Sequence, residues 1–253
     1  MRPIVSPSDV TPDTVLLDAR PAAAYAAAHA PNARHADLET QLAAIDDPRN
    51  GGRHPLPPLE RWLRQLGEWG ITPSTKVVVY DDANGANAAA RAWWMLRAVG
   101  HEDVAVLDGD WRELAAGADP EAQPPYPATE WQLPTVDMQQ VESLRGDPQW
   151  RVLDVRTGER YRGETEPIDP VAGHIPGAIN LFFGENLEHG HFKSPQALRE
   201  QYEKLFGNVP AERVVVHCGS GVTACHTLLA LEHAGLPGAS LYVGSWGEWC
   251  RNH

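Results

Sequence analysis

Short apolar runs rich in β-branched residues punctuate this chain, and longer segments with apolar residues at three- and four-residue intervals separate them. The runs predict strands at Val15 to Asp18, Lys76 to Tyr80 and Val104 to Leu107, and again at Arg151 to Val155, Arg213 to His217 and Ser240 to Val243. The longer segments predict helices at Leu59 to Trp69, Ala86 to Val99, Pro195 to Phe206 and Val222 to Ala234. Strands that read as continuous apolar runs, alternating with helices, belong to short parallel sheets covered on both faces, so an α/β class is expected. Ligands of such sheets gather outside the carboxyl ends of the strands, which directs attention to the residues just after each run.

The same pattern occurs twice. Leu16-Leu17-Asp18-Ala19-Arg20, Tyr25 and His29-Ala30-Pro31-Asn32-Ala33 return as Val152-Leu153-Asp154-Val155-Arg156, Tyr161 and His174-Ile175-Pro176-Gly177-Ala178. Val77 to Tyr80 returns as Val214 to His217, and Trp111 as Trp246. Order and spacing are kept throughout, so the chain divides into two related domains, residues 1–118 and 136–253. Between them, residues 119–135 hold Pro120, Pro124, Pro125, Pro127 and Pro134 and predict an extended, semi-rigid linker.

Charge narrows the range of partners. Lys and Arg number 21 against 34 Asp and Glu, a net charge of −13 shared almost evenly by the two halves. No broad basic face is available for phosphates, which argues against nucleic acid and anionic membranes as partners. No apolar stretch approaches the ~20 residues of a membrane span, and the first seven residues lack the basic and apolar regions of a secretory signal. With only Cys218, Cys225 and Cys250, a disulfide framework is not expected, and free thiols in a cytoplasmic setting are.

Of these cysteines Cys218 has the distinctive setting. His217-Cys218-Gly219-Ser220-Gly221-Val222-Thr223-Ala224 falls directly between a strand and a helix. The two glycines allow successive backbone N–H groups to turn inward as an anion cradle, and the helix adds its positive end. Both favour a thiolate nucleophile and would hold a negatively charged persulfide. Cys225 and Cys250 read as packing residues, as do Trp62, Trp69, Trp93, Trp94, Trp246 and Trp249, at cores or the domain interface. The adjacent pairs His217-Cys218 and Cys225-His226 lack zinc-ligand spacing, so no metal and no cofactor are expected.

In the Cys218 loop, the Gly173 to Ala178 segment and the duplicated Asp-x-Arg strands, the chain resembles the tandem-domain rhodaneses, the 3-mercaptopyruvate and thiosulfate sulfurtransferases. The resemblance implies two rhodanese-like α/β domains, the first inactive and the second catalytic, with the site in the cleft between them. Asp81 stands where the first half would carry its cysteine, in agreement with an inactive copy. It further implies that Cys218 takes sulfur from a small anionic donor as a persulfide and passes it to a thiol, cyanide or thioredoxin-like acceptor. Arg160 matches the arginine that holds the donor's anionic end, and the loop residues Gly219, Gly221, Val222 and Thr223 line the donor. Ser220, Asp18 and His29 match a serine, aspartate and histidine that assist proton transfer in mercaptopyruvate-type members. Because Asp154 and His174 repeat Asp18 and His29, a structural role in each domain is the competing assignment.

The donor is marked in two opposed ways. Neutral Gly219 and Ser220 resemble the mercaptopyruvate type, whereas Asp169 occupies the position of that type's second arginine, as in thiosulfate-type members. The loop is nearer the reacting sulfur and carries more weight, so 3-mercaptopyruvate is the expected donor and thiosulfate the alternative. A Cys-dependent phosphatase is disfavoured because Ala224 replaces the arginine of its His-Cys-x5-Arg loop, and a non-catalytic binding or sulfur-relay module does not require the intact loop.

Overall fold

The computed structural model describes residues 1–86 and 88–253. They form two compact units: Met1–Ala44 with Pro57–Leu133, and Ile45–Leu56 with Pro134–His253. Two assignments differ from a simple division at the proline-rich segment. Residues 45–56 group with the second unit, and residues 119–133 group with the first. The proline-rich segment is extended but strapped down: Gln123 N–H donates to the Gly67 carbonyl, Tyr126 N–H to Leu63 and Gln132 N–H to Ala98. The Tyr126 ring is buried.

The first unit is built on a five-stranded parallel sheet in the spatial order Ile4–Val5, Val104–Leu107, Lys76–Tyr80, Thr14–Asp18, Arg34–His35. The second repeats that order with Thr135–Val136, Ser240–Tyr242, Val214–His217, Arg151–Asp154, Ile179–Asn180. Its one addition among the described residues is a small antiparallel pair, Leu187–Glu188 with His191–Phe192. Val77 to Tyr80 and Val214 to His217 are buried at the middle of each sheet, as their unbroken apolar runs require. Burying a valine or leucine side chain is worth ~1.5–3 kcal/mol, so these central strands anchor each unit.

The predicted strands lie within a residue of their observed limits, and Pro195–Phe206 is the predicted helix. The helix predicted at 86–99 spans Ala89–Arg97, with position 87 outside the described residues. The segment ahead of it is held by the Asp81 side chain instead of continuing the helix. Short helices at Ala22–Ala27, Met138–Leu144, Gly158–Arg162 and Ser245–Asn252 complete the layers. The six tryptophans assigned to packing are all buried, with Trp62 set edge-on against Trp69. Among the described residues no helix is long and apolar enough to cross a membrane.

Candidate active site

In the second unit, strand Val214–His217 ends beside Arg151–Asp154, with His217 opposite Asp154, and the chain turns at Cys218 into helix Thr223–His233. This is the carboxyl edge of the sheet at its centre, where the sequence pattern placed the chemistry. Cys218 is 2% exposed, and the Ser220 N–H points at its Sγ from 3.5 Å. Gly221 has φ +73°, and a Cβ there would come within 2.5 Å of the Val243 carbonyl, so only glycine closes this turn. The loop is fastened from the start of helix Ser245–Asn252. Ser245 Oγ accepts from the Cys218 N–H at 3.1 Å while donating to the Tyr242 carbonyl, and the N–H groups of Trp246 and Gly247 donate to the carbonyls of Cys218 and Gly219. Such a loop is held from behind, which leaves the sulfur's own face to the cradle.

Cys225 and Cys250 are buried, each with its Sγ toward a backbone carbonyl, of Gly221 and Gly247 respectively. Burial also pushes the Cys250 thiol pKa upward, with Asp169 adding to the rise, which keeps it a thiol. Ala224 is fully buried in helix Thr223–His233 and offers no guanidinium to a phosphoryl group.

Arg160 reaches the same loop. It lies on the short helix Gly158–Arg162, and its terminal nitrogens stand 3.4 and 3.7 Å from the point a Cβ on Gly219 would occupy. Glu166 orients it through Nε at 3.1 Å and Nη2 at 2.6 Å. Burial raises the Glu166 pKa, but Arg160 and the N–H groups of Asp169 and Ile168 outweigh it and leave the carboxyl below its ordinary value. Glu166 is therefore an anion across the neutral range and a firm partner for the guanidinium.

Asp18 and His29 lie in the first unit, Cys218 in the second. Asp18 is fully buried and accepts from Arg20 through Nε at 3.0 Å and Nη2 at 2.6 Å, and Arg20 Nη2 also donates to the Ala28 carbonyl. Asp154 and Arg156 repeat this arrangement at 3.0 and 2.6 Å, with Gly173 in place of Ala28. His29 stacks on Tyr25 with Nδ1 at 2.9 Å from the Tyr25 carbonyl oxygen, and His174 stacks on Tyr161 with Nδ1 at 2.8 Å from the Tyr161 carbonyl oxygen. The duplicated motif is thus a duplicated clamp: an Asp–Arg pair at the end of each strand and a Tyr–His stack on the connection that follows. Asp18 and His29 make the bonds that their second-half counterparts make.

Several contributors to the Cys218 surroundings carry little mark in the sequence pattern, Asp169 only that of a missing arginine and Arg53 none. Asp169, fully buried at its side chain, receives Arg53 Nε at 3.1 Å and Arg251 Nη1 at 2.8 Å, and it lies 3.7 Å from Arg160 Nη2. Arg53 comes from the 45–56 segment, and its Nη2 stands 2.8 Å from the Cβ point of Gly219. Ser245 shows itself in sequence only by following Gly244; its φ of +55° marks the tight turn that brings it under Cys218.

Known proteins carry the same architecture. The Rhodanese-like domain matches residues 8–116 and again residues 137–252. The chain is 41% identical to a probable 3-mercaptopyruvate sulfurtransferase of Pseudomonas aeruginosa over 263 residues, covering 94% of this chain and 89% of the relative. It is 39% identical to a putative thiosulfate sulfurtransferase of Mycobacterium tuberculosis over 241 residues, covering 90% and 82%. Among solved structures, the 3-mercaptopyruvate sulfurtransferase of Leishmania major superposes with a TM-score of 0.83 at 26% identity, over 98% of this chain and 74% of that one. With the domain matched twice, two sheets of identical strand order and relatives that align over nearly its whole length, the chain belongs to the Rhodanese-like domain family.

Proposed function

We propose that this protein is a sulfurtransferase that draws sulfur from 3-mercaptopyruvate, carries it on Cys218 and delivers it to a thiol or cyanide acceptor. The observation that carries the reading is the pairing of one buried cysteine in a backbone cradle with the Arg160 guanidinium over the neighbouring Gly219. In the first half-reaction the Cys218 thiolate attacks the donor sulfur, an S–S bond forms and the donor's C–S bond breaks. The electron pair passes to the pyruvate enolate, which takes a proton. In the second, an acceptor thiolate attacks the outer sulfur and returns Cys218 as thiolate.

Arg160 suits the donor's carboxylate because its charge is permanent and its fork matches two oxygens. Ser220 is the hydroxyl closest in sequence to the sulfur, and its Oγ has no hydrogen-bond partner among the described residues, so we assign it the proton for the departing enolate. Asp18 and His29 join that relay by resemblance alone; their bonds to Arg20 and the Tyr25 carbonyl support the competing role of holding the first unit's connection. A cytoplasmic thioredoxin-like thiol fits as the acceptor.

Thiosulfate is the second reading, favoured by Asp169 at the place of a second arginine. Steady-state rates with each donor and a common acceptor separate the two. We expect kcat/KM with 3-mercaptopyruvate to exceed that with thiosulfate, and Arg160→Ala to lower both about tenfold or more. A preference for thiosulfate would reverse the choice of donor and leave the role of Cys218 in place.

A further inference from the structure

We propose that Arg53 is a second guanidinium of the donor site, which together with Arg160 grips the anionic oxo end of the sulfur donor above Gly219. This rests on the reading of Cys218 as the sulfur carrier and adds to it a specificity-determining residue from a distant stretch of chain.

The first observation is convergence. Arg53 Nη2 and Arg160 Nη2 stand 2.8 and 3.4 Å from one point, the place a Cβ on Gly219 would fill. Glycine at 219 is what leaves that point open beside the nucleophile. Two guanidiniums facing one point repel each other unless an anion joins them. Their side chains are only 20% and 17% exposed, so water screens that repulsion less than it would on an open surface.

The second observation is the unused valence of Arg53. Its Nε is committed to Asp169, but among the described residues neither terminal nitrogen has a hydrogen-bond partner. A guanidinium that served only to neutralise Asp169 would turn its fork toward that carboxylate. Here the Nε edge holds the carboxylate and the fork faces the loop.

Charge supplies the third. Arg53, Arg156, Arg160 and Arg251 meet the carboxylates of Asp154, Glu166 and Asp169, which leaves one positive charge to be shared by the Cys218 thiolate and the donor. That balance matches a singly charged α-keto acid thiol better than a dianion. Asp169 thereby acquires a purpose: at a position where mercaptopyruvate-type members carry an arginine, it recruits one from the 45–56 segment instead.

That segment is fixed well enough to do this. The Gly51 N–H donates to Glu248 at 2.8 Å and Asn252 Nδ2 to the Arg49 carbonyl at 3.0 Å. Gly52, at φ +80°, packs so closely on Gly244 that a side chain there would strike its carbonyl. All three anchors lie on or next to the helix that fastens the Cys218 loop, so Arg53 and the nucleophile share one support.

The test uses two readouts on the full chain. Alkylation of Cys218 by iodoacetate, relative to neutral iodoacetamide, reports an anion site beside the sulfur without requiring sulfur transfer. Steady-state kinetics with 3-mercaptopyruvate and with thiosulfate then reports the donor. We expect Arg53→Gln to lower the iodoacetate-to-iodoacetamide rate ratio about tenfold and to raise KM for 3-mercaptopyruvate about tenfold, with a smaller change in kcat. Arg53→Lys, which keeps the charge beside Asp169 but loses the fork, should fall between wild type and Arg53→Gln. Unchanged ratio and KM in Arg53→Gln, with both altered in Arg160→Gln, would overturn the inference and leave the sulfurtransferase reading standing. A lowered ratio in a protein whose wild type transfers sulfur from neither donor would support the anion site and remove the reading on which its substrate rests.

Discussion

The two loops that end the central strands, at Asp81 and at Cys218, occupy equivalent places in the two units and hold different contents. Asp81 accepts backbone N–H groups from Ala83 and Gly85, each at 2.8 Å, and from Ala88 and Ala89 at 3.2 and 3.1 Å. The first unit therefore fills its anion cradle with its own carboxylate. The second unit turns into helix Thr223–His233 only five residues after its cysteine and aims the Ser220 N–H at a sulfur atom. An aspartate at this place supplies the negative charge that a cradle of backbone N–H groups accepts, and a carboxylate cannot carry sulfur. On the proposed function, a loop of this kind is a structural demand for negative charge first and a sulfur-carrying site second.

The sharpest way to break that comparison is Asp81→Asn. The amide keeps the shape but offers one acceptor oxygen and turns an NH2 toward backbone donors. Leaving buried N–H groups unmet costs ~1–3 kcal/mol, so unfolding of the first unit in urea should move to lower concentration by a corresponding amount. Burial outweighs the four N–H groups and leaves the Asp81 pKa above its ordinary value, so the charge is held against desolvation by those donors. An unchanged midpoint would mean that the carboxylate is not what orders the loop.

Acid sharpens the comparison in a smaller way, through two fully buried histidines, His101 in the first unit and His217 in the second. Burial lowers the pKa of His101 in the first and of His217 in the second; the Asp154 carboxylate partly offsets the fall for His217. Folded, both rings stay neutral where the unfolded chain begins to take up protons. The unfolded state then binds more protons, so stability is full above pH ~6.5 and falls as the pH drops below it, by up to about 1.4 kcal/mol per pH unit for each ring. Stability measured in urea between pH 7.5 and 5.5 should show this slope, and His101→Gln should flatten the part belonging to the first unit. A flat profile in the wild type would contradict the assignment.

The legibility of the molecule follows the same division between what repeats and what does not. The central strands were readable because parallel strands buried on both faces must be continuous apolar runs, and duplication supplied an internal check on each. Short helices such as Ala22–Ala27 and Gly158–Arg162 have too few turns to show a period. Met138–Leu144 did carry a signal, the capping box of Asp137 and Gln140. The setting of Cys218 was legible because strand, glycine loop and helix occur together. Arg53 was not, because nothing in Gly51-Gly52-Arg53-His54-Pro55 indicates that a buried Asp169 far along the chain will receive it. Position 169 showed only a missing arginine, and its pairing with Arg53 had to be found in space.

The central claim is that the cradle of the second unit, and not a thiol elsewhere, carries the sulfur. Incubating the protein with 3-mercaptopyruvate in the absence of acceptor, then measuring intact mass and mapping the modified peptide, tests it directly. The account predicts the mass of one added sulfur atom on Cys218, its removal on adding cyanide, and loss of turnover by at least about a thousandfold in Cys218→Ser. Sulfur found on Cys225 or Cys250, with Cys218 unmodified and Cys218→Ser still active, would contradict it.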